Sequence, residues 1–174
     1  MLRDGFAPPL QGAAKRGRGK IKSMTNLTRS TQILVNTNLQ KAFDYVSDLT
    51  KHPEWSGGEL KIEAVSSEPI QVGKKYLSKG EVAIQKDRPN TLRVTEYESP
   101  HTFGFVANDP DFGDVFHTFT FVQKENGVLV TRTMKLNVNP FIAFGFTFFV
   151  YPLIGNPSMK KAFANLKAKL ESQR

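Results

Sequence analysis

Strand-like sequence occupies the middle of this chain and narrows the folds available to it more than any other feature. Between residues 60 and 138, segments rich in Val, Thr, Tyr and Phe alternate with short clusters of Pro, Gly, Asn and Asp, as expected for strands joined by turns. At 174 residues the chain fits one domain, since single cores usually organise about 100–200 residues. The pattern predicts a first strand at 31–35 and six more at 60–65, 75–84, 91–98, 102–107, 115–124 and 128–138.

Helical periodicity occurs on both sides of this strand run. After the N-cap candidates Asn36 and Asn38, apolar residues recur at i, i+3, i+4 and i+7 at Leu39, Ala42, Phe43 and Val46. A second short helical turn is predicted over 50–55, before a pair of glycines. The stretch 158–170 predicts a closing amphipathic helix with lysines on its polar face and an apolar face formed by Met159, Phe163, Leu166 and Leu170.

The last two predicted strands can be aligned from the sequence. Asn126-Gly127 is the dipeptide most typical of a two-residue hairpin turn, and directly opposed residues share one face of the sheet. One face is then apolar but includes His117 and Arg132, while the alternate positions are mostly threonines that face solvent. With those two residues as the loop, the predicted pairs are Glu125–Val128, Gln123–Val130, Phe121–Arg132, Phe119–Met134 and His117–Leu136.

Segment 140–154 is the most apolar part of the chain and carries five phenylalanines. A transmembrane helix needs about 20 apolar residues, whereas this run has about 14, is interrupted by Gly145 and is bounded by Pro140 and Pro152. We therefore do not expect a membrane span. Two interpretations remain open: the segment is the first half of the closing helix, buried over the sheet, or it is an apolar lid at the mouth of a cavity.

The formal charge of +8 is concentrated at the two ends of the chain. Residues 1–24 have a net charge of +5 and residues 158–174 a net charge of +4, whereas residues 25–157 have a net charge of −1. The first segment is rich in Pro and Gly and has no apolar period, so we predict a disordered basic tail over 1–28 and a ligand-binding domain over 29–174. Because the excess charge is terminal, we do not expect nucleic acid as a partner, but peripheral contact with an acidic membrane remains open.

Few residues are candidates for catalysis or metal binding. The absence of cysteine excludes a disulfide framework, a thiolate metal site and a cysteine nucleophile. His52, His101 and His117 lie on different predicted elements and form no i, i+4 pair, so we expect no metal. No glycine-rich phosphate or dinucleotide motif occurs, so we expect no cofactor. No long apolar run follows Arg3, as a secretory signal would require, and we expect a cytoplasmic protein.

His117 and Arg132 are the polar residues of interest, since both lie on the predicted apolar face. In one interpretation His117 is a half-buried edge residue and Arg132 extends its charge to the rim of the sheet. In the other, both are polar groups of an otherwise apolar pocket, where they would hold a carbonyl, hydroxyl or carboxylate of a ligand. The residues alone leave both interpretations open.

Four segments of the chain form a recognisable combination. Residues 72–76 read VGKKY, residues 127–131 read GVLVT and residues 163–171 read FANLKAKLE. Residues 36–55 form a predicted helix pair that carries Phe43, Asp48, His52, Pro53 and Trp55. Together with the order of the elements, these segments resemble the START-like (SRPBCC) superfamily, which includes polyketide cyclase/dehydrase-like, coenzyme-Q-binding and birch-pollen-allergen-like proteins. One departure is Val128, which stands where that family usually has Thr.

The resemblance implies an α+β helix-grip fold, in which a curved seven-stranded antiparallel sheet wraps around a long C-terminal helix and two short helices follow the first strand. It also implies an apolar cavity between sheet and helix. Members of the family bind lipids, sterols, quinones, hormones or polyketides, and only some catalyse cyclisation or dehydration. We can match none of the cyclases' catalytic residues to this sequence.

We therefore expect binding or transport of a small hydrophobic molecule, such as a lipid, a quinone or a polyketide-like compound. One alternative is a cyclase, dehydrase or hydrolase in which His117 is a general base and Arg132 stabilises an oxyanion. Another is a module that docks on a membrane or partner through 140–154. His117 and Arg132 are the expected polar anchors of the cavity, and the residues expected to line it are Phe43, Trp55, Phe103, Phe105, Phe119, Phe121 and Met134.

Overall fold

The computed structural model describes residues 24–57, 60–82, 85–109 and 113–172. Within these residues the strands form one antiparallel sheet in the order β1-β7-β6-β5-β4-β3-β2. Each strand from β2 to β7 pairs with its neighbour in sequence, while β1 pairs with β7 near the far end of the chain. The strands are β1 Thr25–Val35, β2 Leu60–Ala64, β3 Lys75–Val82, β4 Gln85–Glu98, β5 Thr102–Asp109, β6 Gly113–Lys124 and β7 Gly127–Val138.

The two short helices after β1 are confirmed. Helix α1 spans Leu39–Ser47, and the side-chain oxygen of Asn38 accepts a hydrogen bond from the backbone nitrogen of Lys41 at 2.7 Å, which satisfies one of the free donors at the helix start. A 3₁₀ turn at Leu49–Lys51 and α2 at Pro53–Ser56 follow. The predicted apolar face of α1 is buried against the sheet at Ala42, Phe43 and Val46.

Strand β1 is longer than the sequence predicted. It begins at Thr25 and pairs with β7 along its whole length, whereas the pattern indicated a strand only over 31–35. The added half contains one buried apolar residue, Leu27, among polar neighbours. Its strand conformation comes from pairing with β7, which a local pattern does not report. The boundary between tail and domain at residues 28 and 29 stays a prediction, and residues 1–23 lie outside the described residues.

The β6–β7 hairpin has a different register from the predicted one. Phe119 faces Arg132 and His117 faces Met134, so the pairing is displaced by two residues. An even displacement returns each side chain to its predicted face. The reason lies at Gly127, which has φ +136° and would place a Cβ onto the carbonyl oxygen of Val35. The glycine permits this close approach between β7 and the end of β1.

The closing helix is a continuous helical segment, Pro140–Ser172, of 33 residues. It consists of α3 at Pro140–Gly145, a π-helical stretch at Phe146–Gly155 and α4 at Asn156–Ser172. The sequence predicted the amphipathic part over 158–170 and left open whether 140–154 is the first half of this helix. Pro152 lies inside the π-helical stretch. Proline has no backbone N–H, and the i→i+5 hydrogen bonds of a π-helix accommodate this gap in the α-helical hydrogen bonding. The side chains that α4 buries against the sheet are Ala162, Phe163, Leu166 and Leu170.

The first half of the closing helix is exposed, and this corrects the interpretation in which it is buried over the sheet. By length and composition the helix could cross a bilayer: its most apolar 18-residue window has a mean hydropathy of 1.2, and 6% of that window is buried. Core helices of globular proteins also meet this criterion but are mostly buried. The exposed large side chains, which we call the apolar face, are Phe141, Ile142, Phe144, Phe148, Phe149, Val150, Leu153 and Ile154.

Candidate functional site

The aromatic residues predicted to line a cavity all lie in one core cluster between the sheet and α4. Each is at most 3% exposed. The ring of Trp55 lies 6.2 Å from Phe119 and 6.4 Å from Phe163, both edge-on, a favourable geometry for aromatic pairs. The rings pack against one another in the core. The members of this predicted set are Phe43, Trp55, Phe103, Phe105, Phe119 and Phe121.

Met134 lies in a neighbouring position. It is partly buried and packs against a second, smaller apolar cluster of Leu27, Leu136, Val138 and Ala143. His117 lies on β6 and Arg132 lies on β7. His117 pairs with Met134, beside the small cluster, and Arg132 pairs with Phe119, in the aromatic core. The sheet register therefore places the two polar residues beside the aromatic core.

Arg132 is the most unusual charge in the described structure. Its Nη2 lies 3.1 Å from Nδ1 of His117, its Nη1 lies 3.1 Å from the sulfur of Met159, and its guanidinium carbon is 5.7 Å from the centre of the Phe119 ring. Its Nε is buried and has no hydrogen-bond partner. Among the described residues no carboxylate pairs with Arg132. Burial lowers the pKa of Arg132 to about 10, so the group is still a cation at neutral pH.

The contact with Arg132 determines which ring nitrogen of His117 carries the proton. A guanidinium has only donors, so Nδ1 of His117 must accept and the imidazole proton must lie on Nε2. Burial, followed by the charges of Arg132 and His52, lowers the pKa of His117 well below its ordinary value. His117 is 8% exposed and lies 4.7 Å from the Phe105 ring. The pair thus offers N–H donors and no free basic nitrogen.

His52 is a third member of this polar group that the sequence did not assign to the site. It is 7% exposed, and its ring lies 4.2 Å from that of Trp55. Burial, with a smaller effect of the Arg132 charge, lowers the pKa of His52 to about 3. Its Nδ1 and the indole Nε1 of Trp55 are buried without partners. The sequence signal that could have assigned His52 to the site was its position, together with Trp55, in the helix-pair segment 36–55.

A small cavity of about 10 Å³ lies beside Arg132, between the sheet and the closing helix. This is about the volume that holds one water molecule. Of its lining residues only Arg132 and Met134 belong to the predicted site. Arg29 lies in the part of β1 that the sequence did not predict, and Tyr151 lies in the π-helical stretch. Thr31 and Met159 lie on predicted elements, but a local pattern does not show that the two elements meet beside Arg132. The full lining is Arg29, Thr31, Arg132, Met134, Tyr151 and Met159.

Metal binding has no support in the described part of the chain, where no group of three or more His, Cys, Asp or Glu side chains could hold an ion. The contacting pair Arg132 and His117 instead offers N–H donors. Such donors can bind a carbonyl, enolate or carboxylate oxygen.

A family model described as polyketide cyclase / dehydrase and lipid transport matches residues 24–171. The chain belongs to this family. The match covers the sheet and nearly all of the closing helix, and it confirms the resemblance to the START-like superfamily. Membership supports a role in binding hydrophobic small molecules or in a polyketide-cyclase-like reaction. No curated protein matches the sequence.

Solved structures show the same fold at low sequence identity. Norcoclaurine synthase from Thalictrum flavum is 18% identical, with a TM-score of 0.61 over 95% of this chain and 99% of that one. Protein CV1439 from Chromobacterium violaceum is 14% identical, with a TM-score of 0.63 over 83% and 96%. The di-domain ARO/CYC BexL from the BE-7585A biosynthetic pathway is 9% identical, with a TM-score of 0.65 over 84% and 50%. Together they confirm the predicted α+β helix-grip fold.

Proposed function

We propose that this protein binds and carries a small hydrophobic molecule whose polar end is a carboxylate or another strongly accepting oxygen. The observation that supports this most directly is the charge of Arg132, which lies against aromatic rings without a carboxylate among the described residues. Arg132 is partly exposed, but its Nε is buried without a hydrogen-bond partner, and a partly buried cation with no counterion is energetically unfavourable. A ligand that brings an anionic oxygen to this position would remove the penalty.

The surroundings of Arg132 favour an amphipathic ligand. Nη1 of Arg132 donates a hydrogen bond to the sulfur of Met159 at 3.1 Å, a weak acceptor that a ligand oxygen could replace. Nε2–H of His117 supplies a second donor close by. The aromatic core and the side chains of Met134 and Tyr151 supply apolar surface for the remainder of the ligand.

Binding requires the cavity to widen, because a volume of about 10 Å³ is far below the roughly 300 Å³ of a typical small-molecule pocket. Two of the six lining residues are methionines, which are flexible and adapt to irregular shapes. Tyr151 and Met159 lie on the closing helix, and Tyr151 is in its π-helical stretch. We therefore place the widening between the closing helix and strands β1 and β7.

A cyclase-like or dehydrase-like reaction on a polyketide-like substrate is the second candidate, because the guanidinium of Arg132 would also stabilise an enolate oxygen. The donor geometry disfavours the predicted use of His117 as a general base, since Nδ1 faces Arg132 and Nε2 carries the proton. A poly-β-ketone thioester distinguishes the candidates. Lost turnover with retained affinity in His117→Ala favours the enzyme, and altered affinity without any turnover in the wild type favours the carrier.

The carrier proposal is tested with cis-parinaric acid and its methyl ester, which share an apolar chain and differ in charge. We expect the wild type to bind the acid at least about tenfold more tightly, because hydrogen bonds to charged groups contribute about 1.5–3 kcal/mol. Arg132→Met should remove this preference and leave the affinity for the ester within about threefold. Quenching of Trp55, the one tryptophan in the chain, reports binding in the core.

Two further variants make this test decisive. Arg93→Met removes an exposed arginine of β4 and should keep the preference for the acid. Arg132→Lys retains the charge but loses the planar fork, and should keep part of the preference. The absence of binding by either probe, or equal affinity of the wild type for acid and ester, would overturn the proposal.

A further inference from the structure

The apolar face of the closing helix has no partner within the described structure. Its eight side chains are 45–84% exposed. Three of them form a contiguous aromatic patch, since the ring of Phe144 lies 4.7 Å from that of Phe148 and 6.4 Å from that of Phe149. Contiguous apolar patches of this kind on a protein surface mark interaction sites.

The opposite side of the same helical segment is attached to the sheet. Ala143 and Phe146 pack with the small apolar cluster that contains Leu27. Arg29 donates a hydrogen bond to the hydroxyl of Thr147 at 2.8 Å, and its guanidinium carbon lies 5.0 Å from the ring centre of Tyr151. The strands to which this side is attached carry exposed polar residues at Asn26, Thr28 and Lys135. A bilayer interior would leave such residues unsatisfied, so the segment suits the surface of a bilayer and not its interior.

The distribution of charge indicates what kind of surface the apolar face meets. No charged residue occurs over 136–159, a stretch of 24 residues that is bounded by Lys135 and by Lys160 and Lys161. All three lysines are exposed. Lys135 lies on the sheet face opposite to Leu136, which packs on the helix. Lys160 and Lys161 instead follow the apolar face on the helix itself. An apolar face beside exposed lysines is complementary to anionic lipid, because the lysines meet headgroups while the rings enter the acyl boundary.

Self-association is a poorer match for this face. A two-fold dimer brings the same patch of both copies together, and Lys160 and Lys161 beside the patch would then add the same positive charge to both sides of the contact. Like charges at such a contact are repulsive and favour other partners. The charge pattern therefore favours an anionic surface over a second copy of the chain.

We propose that the protein docks on anionic lipid bilayers through the apolar face of residues 141–154, with Lys160 and Lys161 at the headgroups. The helix lies in the plane of the interface. Tyr151 and Met159 line the cavity beside Arg132 and belong to the same helix, so docking places the cavity next to the bilayer. The docking proposal rests on the exposed face and its flanking charges and does not depend on ligand binding.

Co-sedimentation of the full chain with vesicles tests the proposal. The vesicles are phosphatidylcholine alone, or phosphatidylcholine with phosphatidylserine at about a third of the lipid. We expect binding only to the second. Phe148→Ser combined with Leu153→Ser should weaken this binding at least about tenfold, since each substitution removes apolar area from the interface. Phe116→Ser with Leu77→Ser removes the same two residue types from exposed strand positions and should leave binding unchanged.

The charge contribution is tested separately. Lys160→Gln with Lys161→Gln should weaken binding about thirtyfold, the change expected for two lysines near an anionic surface. Lys61→Gln with Lys79→Gln removes two exposed lysines that face each other across β2 and β3, at the other edge of the sheet, and should have less than about a threefold effect. All variants change exposed residues, and thermal unfolding verifies that each is folded.

Three results would overturn the proposal. One is the absence of vesicle binding by the wild type, and another is equal loss in the apolar variant and its strand control. The third is resistance of the bound protein to alkaline carbonate extraction, which would indicate a spanning helix. Dimerisation that is lost in Phe148→Ser/Leu153→Ser, without vesicle binding, would assign the face to a second copy.

Discussion

Two buried histidines make the stability of this fold depend on pH. The pKa of His52 is about 3 and that of His117 is well below 6.5 in the folded chain, whereas both return to about 6.5 when the chain unfolds. Below pH 6.5 the unfolded state therefore binds protons that the folded state does not. Linkage requires the free energy of unfolding to fall as pH drops from about 6.5 toward about 3, by up to about 1.4 kcal/mol per pH unit for each histidine.

We expect His117→Gln to flatten this dependence by about 1.4 kcal/mol per pH unit, because glutamine does not titrate and its carbonyl oxygen can accept from Arg132. Chemical denaturation in steps between about pH 7 and about pH 4 measures the slope. His101→Gln, a change at an exposed histidine, should leave the slope as in the wild type. An unchanged slope in His117→Gln would show that His117 is already protonated in the folded state.

The closing helix combines two halves with different environments. Leu166, in α4, is fully buried in the main core, whereas Leu153, in the π-helical stretch, is 74% exposed. The same residue type in one continuous helix thus has a packing role at one position and a surface role at the other. Composition alone assigns both to a core.

Leu166→Ala and Leu153→Ala form a matched pair for this difference. We expect Leu166→Ala to lower the free energy of unfolding by about 3 kcal/mol, because it removes buried methyl groups and leaves a cavity. Leu153→Ala should change it by less than about 0.5 kcal/mol, as is usual for exposed positions. Equal losses in the two variants, measured by chemical denaturation, would show that the exposed half is packed in solution.

At the scale of the whole molecule, the charge of +8 belongs mainly to the chain ends. Residues 1–24 contribute +5 and residues 158–174 contribute +4, and the lysines of the second group lie on the helix that also presents the apolar face. Our docking proposal uses this second group and assigns no role to residues 1–23. A chain that begins at Met24 separates them.

We expect this shortened chain to keep its unfolding midpoint within about 2 °C, because β1 begins at Thr25 and the family match begins at residue 24. It should also keep its binding to phosphatidylserine vesicles within about threefold, since the proposed docking face is intact. Calorimetry and co-sedimentation measure the two quantities. A large drop in midpoint would assign residues 1–23 to the domain, and lost vesicle binding would assign docking to the tail.

Local patterns were sufficient for the elements and their faces. Period-two alternation placed His117 and Arg132 on the buried side of the sheet, and helical spacing placed Phe43 and Leu166 in the core. These predictions held because the side-chain direction along a strand or helix repeats with a period that neighbouring residues already contain. Even the displaced hairpin register kept each residue on its face, since the displacement was two residues.

Tertiary contacts determine the hairpin register, the length of β1 and the exposure of residues 141–154, which local patterns do not predict. Gly127 sets the hairpin register through its approach to Val35, and pairing with β7 extends β1 to Thr25, both of which depend on residues about 90 or more positions away. The exposure of 141–154 likewise depends on which side of the helix meets the sheet. The side chains of an apolar run are stabilised when they are removed from water. Whether the protein's own core or another surface covers them is determined by how the chain packs.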